Sequence, residues 1–322
     1  MTVDLKYNYV IFGNLGYYEV GYHDLFNLDN VKYFPDMEKD VKSKFALFVQ
    51  KITFSSKVNK ITKFPFKKYT FKHLYPFKFN NNRPIIFILF GRPYLPQSGY
   101  IDYLREKYPS SRMVLYFQDT VDRYRSLYYE RSKFDLVMSY DKQDCSNYGL
   151  VYYPTPYSKI SIKEISSISE TDVFYCGYAK TRYPKIFAVY NECKKRGLKC
   201  RFYIMGVPEE AKILSEEIIY DKPISYEENL QYVVKCKCIL EIMQDGAVGY
   251  TPRLWESIVY DKHLLTNNKS LLNSSLYNNS FMHQVVSMED IGSWIDSPVH
   301  YSVDVKDNLS PIHLLEKIES LI

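Results

Sequence analysis

Short apolar runs alternate with amphipathic stretches along most of the chain. In the first half, such runs predict buried strands at 7–13, 83–91, 112–119, 134–141 and 149–156. The stretches 99–108 and 121–132 between them carry apolar residues at helical spacing. Strands that alternate with helices are typical of a parallel sheet covered by helices.

The same alternation restarts in the second half. Strands are predicted at 172–178, 199–206, 237–243 and 262–268, and helices at 182–198, 225–236 and 252–261. Residues 157–171 between the halves are rich in Ser, Lys and Glu, and we interpret them as a linker. The pattern therefore predicts an α/β protein with one parallel sheet in each of two domains, residues 1–157 and 158–322, and a cleft between the domains.

The composition disfavours several classes of protein. No apolar run approaches the roughly 20 residues that span a bilayer, and the first residues include Asp4 and Lys6 where a signal peptide has an apolar core. These features predict a cytoplasmic protein. The six cysteines are scattered, and Cys236 and Cys238 share one face of a predicted strand, which favours buried free thiols over disulfides or a metal site. We expect neither a bound metal nor a cofactor.

Positive charge is concentrated in residues 39–83. This window contains twelve Lys and Arg and a single acid, Asp40, whereas the whole chain has a net charge of only +5. Ten Phe and Tyr residues are interleaved with these cations. Three interpretations stay open: a solvated face, a nucleic-acid surface, and a surface for an anionic membrane or a lipid-linked acceptor. Because no recognition motif accompanies the charge, we do not expect nucleic acid as a partner.

The membrane interpretation depends on cations and aromatic residues that alternate near the end of this window. The cations are Lys63, Lys67, Lys68 and Lys72, and the aromatic residues between them are Phe64, Phe66 and Phe71. The lysines would attract an anionic surface, and the phenylalanines would insert shallowly into it. This hypothesis predicts a peripheral location at the inner face of the plasma membrane.

The stretch EIMQDGAVGYTPRLWE (241–256) joins a predicted strand to a predicted helix. Thr251 is placed as an N-cap, and Pro252 fits the first helical position, where its missing N–H costs nothing. Gly246 and Gly249 allow the backbone to approach a ligand closely, and the free N–H groups of a helix start attract an anion. Ligands of doubly wound sheets bind at the carboxyl ends of the strands, which is where this turn lies.

Two side chains of the following helix suit a phosphorylated, polyhydroxylated ligand. Arg253 is a bidentate donor for phosphate oxygens, and Glu256 on the same helix face can accept hydrogen bonds from two neighbouring hydroxyls, as on a ribose. The alternative is a surface ion pair beside a tight turn. A second stretch, FYCGYAKTRYP (174–184), favours the ligand, because Lys180 and Arg182 follow the end of a predicted strand and would complete a diphosphate clamp.

Over residues 172–268 the sequence resembles the donor-binding domain of GT-B glycosyltransferases, in particular the family 4-like enzymes of capsular polysaccharide and lipopolysaccharide biosynthesis. The similarity lies in Gly177 and the cations after it, in a Tyr-Glu-Glu-Asn-Leu helix start at 226–230, and in a turn of the form Gln-x-Gly-x-x-Gly-x-Thr-x-Arg-x-x-Glu. The resemblance implies a donor-binding set of Gly177, Lys180, Arg182, Tyr226, Gln244, Gly246, Gly249, Tyr250, Thr251, Arg253 and Glu256.

The sequence departs from the family pattern at one position. Many family 4 enzymes carry a second glutamate eight residues before the last one, and here that position is Val248. The stereochemical outcome of transfer therefore stays open. The chain contains no Asp-x-Asp motif, which fits a metal-independent enzyme that neutralises its leaving diphosphate with cations and helix N-termini.

The resemblance implies the GT-B fold, an α/β architecture of two Rossmann-like domains whose parallel sheets face each other across a cleft. The domain 1–157 would bind the acceptor and carry the basic, aromatic insertion 39–83, and the domain 158–322 would bind the donor. The implied activity is transfer of a hexose from a nucleotide diphosphate sugar, with UDP as the expected nucleotide. The implied acceptor is a hydroxyl of a surface polysaccharide or lipid-linked oligosaccharide.

An inverting enzyme of this kind would also need a base in its first domain. Asp119, Asp24 and His23 lie near predicted strand ends there and are the candidates. Two other functions stay open. One is a non-hydrolysing nucleotide-sugar epimerase, which shares the two-domain architecture, and the other is a catalytically silent sugar-binding or scaffold protein of the same fold.

Overall fold

The computed structural model describes residues 5–13, 16–35, 44–55, 57–58, 67–91, 94–163, 167–244 and 249–322. The chain divides into two compact units, one formed by Met1–Ser158 with Ser310–Ile322 and the other by Lys159–Leu309. Each unit contains one sheet of six parallel strands, as the alternating pattern of the sequence predicts.

The sheet of the first unit has the strand order β2-β1-β3-β4-β5-β6. Its strands are β1 (Asn8–Phe12), β2 (Val31–Phe34), β3 (Ile85–Leu89), β4 (Arg112–Phe117), β5 (Leu136–Ser139) and β6 (Val151–Tyr152). The helices along this part of the chain are α1 (Tyr17–Gly21), α2 (Lys44–Phe54), α3 (Lys67–Lys72), α4 (Tyr94–Ser98), α5 (Tyr100–Lys107), α6 (Arg125–Tyr128) and α7 (Lys142–Tyr148).

Both faces of this sheet are buried. Val10 and Phe12 of β1 belong to one apolar cluster, and Tyr9 and Ile11 belong to another. Since successive residues of a strand point to opposite faces, the two clusters lie on the two sides of the sheet. Burial on both sides explains why the central strands are continuous apolar runs and do not alternate with polar residues.

The sheet of the second unit has the order β12-β11-β10-β7-β8-β9. Its strands are β7 (Thr171–Tyr178), β8 (Cys200–Met205), β9 (Ile218–Tyr220), β10 (Cys236–Glu241), β11 (His263–Thr266) and β12 (Met282–Gln284). The helices are α8 (Tyr183–Lys195), α9 (Tyr226–Lys235), α10 (Pro252–Val259), α11 (Lys269–Leu272), α12 (Ile291–Trp294) and α13 (Val303–Asp307). The strand order reverses between β7 and β10, and ligands of doubly wound sheets bind beside such a switch point.

The C-terminal segment differs from the predicted division of the chain. All of 158–322 is predicted to form one domain, whereas helix α14 (Ile312–Glu319) belongs to the first unit. Its apolar stripe, which includes Ile318, is buried in the same cluster as Tyr9 and Ile11 of β1. Oε1 of Glu319 accepts a 2.5 Å hydrogen bond from the hydroxyl of Tyr9. A buried helical stripe and the hydrogen bonds of Glu319 therefore attach this segment to the first unit.

Helices α2 and α3 belong to the basic, aromatic window. Phe54 and Phe71 of these helices are buried, and the rings of both pack against Tyr100. The prediction that Phe71 inserts into a membrane is therefore wrong, because its ring is part of the protein core. Residues 59–66, with Lys63 and the other two phenylalanines of that prediction, lie outside the described residues. None of the helices that the structure describes is long and apolar enough to cross a membrane.

Candidate functional site

The start of helix α10 forms one side of the candidate site. Thr251 has an extended backbone and is the N-cap, and its hydroxyl accepts a 3.2 Å hydrogen bond from the amide of Arg253. Pro252 occupies the first helical position, as the sequence predicts. Gly249 has a φ of +101°, which favours glycine, and its carbonyl accepts a 2.9 Å hydrogen bond from the side chain of Asn268. The turn is thus anchored at its cap and at its last glycine.

Glu256 is a buried carboxylate that helix α9 holds in place. Only 3% of the residue is exposed. Its Oε1 atom accepts hydrogen bonds from the hydroxyl of Tyr226 at 2.5 Å and from the side-chain amide of Asn229 at 3.2 Å. Within the part of the chain that the structure describes, Oε2 has no hydrogen-bond partner. Because each carboxylate oxygen can accept two hydrogen bonds, Oε2 is available to hydroxyl groups of a ligand.

The guanidinium of Arg253 reaches back to the end of β7. Its Nη2 atom donates a hydrogen bond to the carbonyl oxygen of Cys176, and its Cζ lies 5.5 Å from the centre of the Tyr175 ring. A Cβ atom at Gly177 would lie 2.7 Å from the same Nη2 atom. Position 177 is therefore occupied by glycine because any larger residue would displace the arginine.

These side chains line a cavity of about 260 Å³ at the carboxyl end of β7. Its lining residues are Cys176, Ile224, Ser225, Tyr226, Asn229, Pro252, Arg253 and Glu256. Helices α9 and α10 both begin at its wall, and the N-cap Ser225 accepts a 3.0 Å hydrogen bond from the amide of Glu228. Two helix N-termini place positive partial charge beside the cavity. The cavity thus combines a cation, a carboxylate and two helix starts.

Arg182 and Lys180 lie in the turn after β7 and have different surroundings. The guanidinium of Arg182 donates to the carbonyl oxygens of Ile242 at 2.8 Å and Tyr178 at 2.5 Å, which ties the end of β7 to the end of β10. Lys180 is exposed, with a φ of +45° that lysine rarely adopts. Its amine has no partner among the described residues. Unusual backbone conformations of this kind cluster at functional sites.

The remaining members of the predicted donor-binding set lie in or beside the turn. The ring of Tyr250 meets the ring of Trp255 edge-on, with 5.4 Å between their centres. Gln244 is half-buried just after β10. Gly246 belongs to the segment 245–248, which is outside the described residues. Tyr250 therefore has a packing contact that orients the turn against α10.

The electrostatic state of Glu256 follows from its burial. Burial raises the pKa of this carboxyl, while the hydrogen bond from Tyr226, the charge of Arg253 and the hydrogen bond from Asn229 oppose the rise. Burial also raises the pKa of the Cys176 thiol to about 11, so this thiol is uncharged at neutral pH. An acid whose desolvation is only partly compensated gains from further hydrogen-bond donors, such as ligand hydroxyls.

Glu241, the last residue of β10, is not among the site residues predicted from the sequence. Glu241 is only 1% exposed, and it accepts hydrogen bonds from the hydroxyls of Thr251 and Thr266. Burial raises its pKa, and those two hydrogen bonds oppose the rise. The signal in the sequence is a charged residue at the end of the apolar run CILE. Asn229 was detectable in a similar way, because it lies one helical turn after Tyr226.

The three candidate bases lie in the first unit. Asp24 and His23 share one short turn, and the carboxylate of Asp24 accepts a 2.5 Å hydrogen bond from the hydroxyl of Ser310. Asp119 follows β4, and its carboxylate pairs with the guanidinium of Arg123. His23 is exposed. Both aspartates therefore have partners in their own unit.

A larger cavity of about 500 Å³ lies at the opposite, amino-terminal end of the second sheet. Two of its cations are engaged within the protein. The amine of Lys237 lies 2.7 Å from the carboxylate of Asp172, and the amine of Lys262 donates to the carbonyl of Val234 at 2.8 Å. Its position is also remote from the switch point, where ligands of such sheets bind. We therefore take the smaller cavity as the candidate site.

In the part of the chain that the structure describes, the side chains able to bind a metal ion are dispersed. Among the residues that the structure describes, no group of three or more His, Cys, Asp or Glu could hold a metal ion. The six cysteines are free thiols, and Cys236 and Cys238 are both buried in β10, as the sequence predicts.

Comparison with known proteins gives the architecture. No family model matches the sequence, and neither does any curated protein. An alpha-glucosyltransferase in complex with UDP-glucose and DNA containing an abasic site superposes with a TM-score of 0.50, over 98% of this chain and 91% of that one, at 12% identity. A structure from Listeria monocytogenes assigned to UDP-N-acetylglucosamine 2-epimerase gives the same TM-score of 0.50, over 99% and 96% of the two chains, at 10% identity. The chain has the GT-B fold. This finding confirms the predicted α/β architecture with two Rossmann-like domains.

Proposed function

We propose that the chain is a glycosyltransferase that transfers a hexose from a nucleotide diphosphate sugar, a UDP-sugar in the first instance, to a saccharide hydroxyl. It would belong to the family 4-like type that builds capsular polysaccharide and lipopolysaccharide, with a surface polysaccharide or a lipid-linked oligosaccharide as acceptor. The observation that carries the proposal is Glu256, a buried carboxylate whose Oε1 atom is hydrogen-bonded within the protein and whose Oε2 atom has no partner among the described residues. It stands at the wall of a cavity where two helices begin. The glucosyltransferase that shares this fold was solved with UDP-glucose.

In the proposed complex, the ribose hydroxyls of the donor donate hydrogen bonds to Oε2 of Glu256. Tyr226 and Asn229 hold Oε1, so the carboxylate is oriented before the ligand arrives and less conformational freedom is lost on binding. Ile224 and Ser225 border the same cavity and would face the base. The nucleoside would thus be recognised by the start of helix α9 and by Glu256 on helix α10.

The diphosphate would lie against the start of α10 and the guanidinium of Arg253. The exposed amine of Lys180 would supply a second cation, and Arg182 would hold the two strand ends at the right separation through its carbonyl contacts. Negative charge grows on the diphosphate as the bond to the sugar breaks, and fixed cations and helix dipoles in a desolvated site stabilise that charge. The proposed transfer is therefore independent of a metal ion and of any cofactor.

The acceptor would bind to the first unit. In an inverting reaction, the acceptor oxygen attacks the anomeric carbon, the bond from that carbon to the diphosphate oxygen breaks, and a base takes the hydroxyl proton. Asp119, Asp24 and His23 remain the candidates for this base. The carboxylates of Asp24 and Asp119 are engaged by Ser310 and Arg123. The side chain of His23 is exposed.

We place the acceptor at the inner face of the membrane because of the basic window in this unit. On helix α2, Phe45 and Phe48 are 75% and 60% exposed, and Lys44 and Lys51 are exposed near them. Exposed aromatic rings among cations suit an anionic interface. Helix α2 therefore takes the inserting role that the buried Phe71 cannot have.

A non-hydrolysing epimerase is the second candidate. The Listeria monocytogenes structure that carries this assignment has the same fold at the same TM-score of 0.50. A transferase and an epimerase would both bind a nucleotide diphosphate sugar, and they differ in their products. A catalytically silent scaffold would form neither product and would bind no nucleotide.

The test is a product assay with a series of UDP-hexoses, in the presence and absence of a lipid-linked saccharide acceptor. A transferase releases UDP faster when acceptor is present, keeps its activity in EDTA, and loses it in Glu256→Ala. Conversion of the UDP-sugar to an isomer without net UDP release would establish the epimerase. Complete inhibition by EDTA that magnesium reverses would contradict the metal-independent mechanism.

A further inference from the structure

Glu241 joins two threonines that belong to different elements of the second unit. The hydroxyl of Thr251, the N-cap of α10, donates to Oε1, and the hydroxyl of Thr266, the last residue of β11, donates to Oε2. Glu241 and Thr266 are 1% and 0% exposed. A single buried carboxylate at the end of β10 therefore connects β10, β11 and the first residue before α10.

The arrangement of donors and acceptors specifies an acid at this position. Thr251 Oγ1 accepts a hydrogen bond from the amide of Arg253 at 3.2 Å, and Thr266 Oγ1 accepts one from the amide of Asn268 at 2.9 Å. Each hydroxyl proton is then directed at Glu241. An ionised glutamate has two acceptor oxygens and no donor, so it satisfies both hydroxyls. A glutamine can accept from only one of them through its single oxygen.

The same network anchors both sides of the turn before α10. The side-chain amide of Asn268 donates to the carbonyl of Gly249 at 2.9 Å. On the other side, the side-chain oxygen of Asn267 accepts a 2.7 Å hydrogen bond from the amide of Met243. The residues that follow β11 thus fix the turn where it leaves β10 and where it enters α10.

We propose that Glu241 is a positioning residue for the diphosphate of the donor, an inference that rests on the proposed function. Through Thr251 it fixes where α10 begins. It therefore sets the positions at which the first amides of α10 and the guanidinium of Arg253 would contact a ligand. Glu241 does not line the cavity, so it acts through these groups. Glu256 is held separately by α9. Loss of Glu241 should therefore affect binding of the diphosphate more than binding of the nucleoside.

Calorimetric titration of UDP and uridine tests this inference in the full-length protein. Glu241→Gln should lower the affinity for UDP about tenfold and leave the affinity for uridine within about threefold. The exposed Glu210 provides the matched control, since Glu210→Gln makes the same exchange away from the site. Equal losses for the two ligands, or an unchanged affinity for UDP, would overturn the positioning role.

A second pair of variants serves if Glu241→Gln fails to fold. Thr266 lies on β11, outside the cavity, and contacts Glu241 directly. Thr266→Val removes the hydroxyl and should reproduce the selective loss of UDP affinity, whereas Thr266→Ser keeps the hydroxyl and should restore it. Equal affinity of both variants for UDP contradicts the proposal.

Hydrogen exchange separates a failure of this inference from a failure of the proposed function. The amides of Arg253 and Asn268 donate to the two threonine oxygens. In the absence of nucleotide, Glu241→Gln should therefore accelerate hydrogen exchange at both amides. The control Glu210→Gln should accelerate exchange at neither amide. Unchanged exchange in folded Glu241→Gln overturns the inference even when the wild type binds UDP. If the wild type binds no nucleotide diphosphate, the proposed function is overturned. If exchange is still accelerated in Glu241→Gln in that case, Glu241 orders the turn but positions no diphosphate.

Discussion

A Cβ atom at position 177 would lie 2.7 Å from Nη2 of Arg253, so the glycine that follows Cys176 in β7 and the arginine at the start of α10 depend on each other. The arginine reaches the carbonyl of Cys176 only because the next residue has no side chain. This relationship places a cation at the switch point of the second sheet, where the proposal requires one.

Gly177→Ala is expected to displace the guanidinium of Arg253 and to weaken UDP binding about tenfold, which corresponds to about 1.4 kcal/mol. Gly292→Ala is the matched control, because a Cβ built there meets no described atom within 4 Å apart from its chain neighbours and its own helix backbone. Calorimetry on both folded variants makes the comparison. Equal UDP affinities would show that Arg253 does not contact the diphosphate.

Glu256→Ala should weaken nucleotide binding by about 2 to 3 kcal/mol, because charge-assisted hydrogen bonds to the ribose are lost. Tyr226→Phe removes one of the two hydrogen bonds that orient the carboxylate and should have a smaller effect, about 1 kcal/mol. Glu227→Ala, at an exposed position of the same helix α9, is the control. Wild-type affinity in a folded Glu256→Ala protein would reject the ribose assignment.

The two cations after β7 are expected to behave differently. Arg182→Ala removes the guanidinium that donates to the carbonyl of Ile242, and it leaves the carbonyl of Tyr178 with only the 3.5 Å contact from the hydroxyl of Tyr175. The variant should therefore have a free energy of unfolding about 1 to 3 kcal/mol lower than the wild type. Lys180→Ala should leave stability unchanged and reduce UDP-sugar turnover more than uridine binding, since its charge acts on the leaving group. Urea titrations and initial rates distinguish the two. A stability loss in Lys180→Ala alone would reverse these roles.

A pair of histidines, of which His263 is buried and His283 half-buried, makes the second unit sensitive to acid. His263 Nε2 lies 3.1 Å from the carbonyl oxygen of Ser297 and donates to it, so its Nδ1 accepts from Nε2 of His283 at 3.2 Å. Burial, and then the charge of His263, lowers the pKa of His283 to about 4. The unfolded chain takes up this proton near pH 6.5, whereas the folded chain does so only near pH 4. The free energy of unfolding therefore falls as the pH drops through this interval, by on the order of 2 kcal/mol at about pH 5.

The variant His283→Phe removes this titration and keeps an aromatic ring on Trp294, which His283 stacks against at 3.6 Å. Urea titrations at about pH 7.5 and about pH 5 should show that the wild type loses more stability than the variant on acidification. Identical losses in the two proteins would mean that His283 is protonated normally in the folded state.

The wild-type protein is expected to sediment with anionic vesicles and not with neutral ones. The attraction should weaken with salt, since the Debye length is about 8 Å at physiological ionic strength. Replacing Phe45 and Phe48 by Ser, or Lys44 and Lys51 by Glu, should release the protein without changing UDP affinity. Tyr129→Ser removes an aromatic residue that is 71% exposed elsewhere in the same unit and should have no effect. If the wild type ignores anionic vesicles at low salt, the window is a solvated face.

The sequence predicts the central strands of both sheets and the edge strand β6, and it misses the other three edge strands. Strand β7 is predicted at 172–178 and observed at Thr171–Tyr178. The pattern does not reveal β2, β9 and β12, and each of these lies at the edge of its sheet. These strands are short and, beyond their first residue, only half-buried, so they lack the continuous apolar run of a central strand. The hydrophobic pattern of a strand depends on its burial, and these edge strands are less buried than the central strands.

The candidate site was predictable where its chemistry is local. The N-cap role of Thr251 and the position of Pro252 follow from neighbouring residues, and both are confirmed. The contacts of Arg182 with two strand ends, and the link from Glu241 to Thr266, depend on which strands are neighbours in the sheet. Strand order is set by tertiary packing and is not encoded in local spacing, so the sequence could not give these contacts.

The measurement that tests the central claim most directly is thermal denaturation of the wild type and of Glu256→Ala with UDP, GDP, CMP and dTDP in the presence of EDTA. A ligand at a hundredfold excess over its Kd stabilises the folded state by about 2.7 kcal/mol, enough to raise Tm by several degrees. The account predicts that one nucleotide diphosphate, UDP in the first instance, raises the Tm of the wild type and not that of the variant. If no nucleotide raises the wild-type Tm, or if all raise both proteins equally, the cavity at Glu256 is not a donor site.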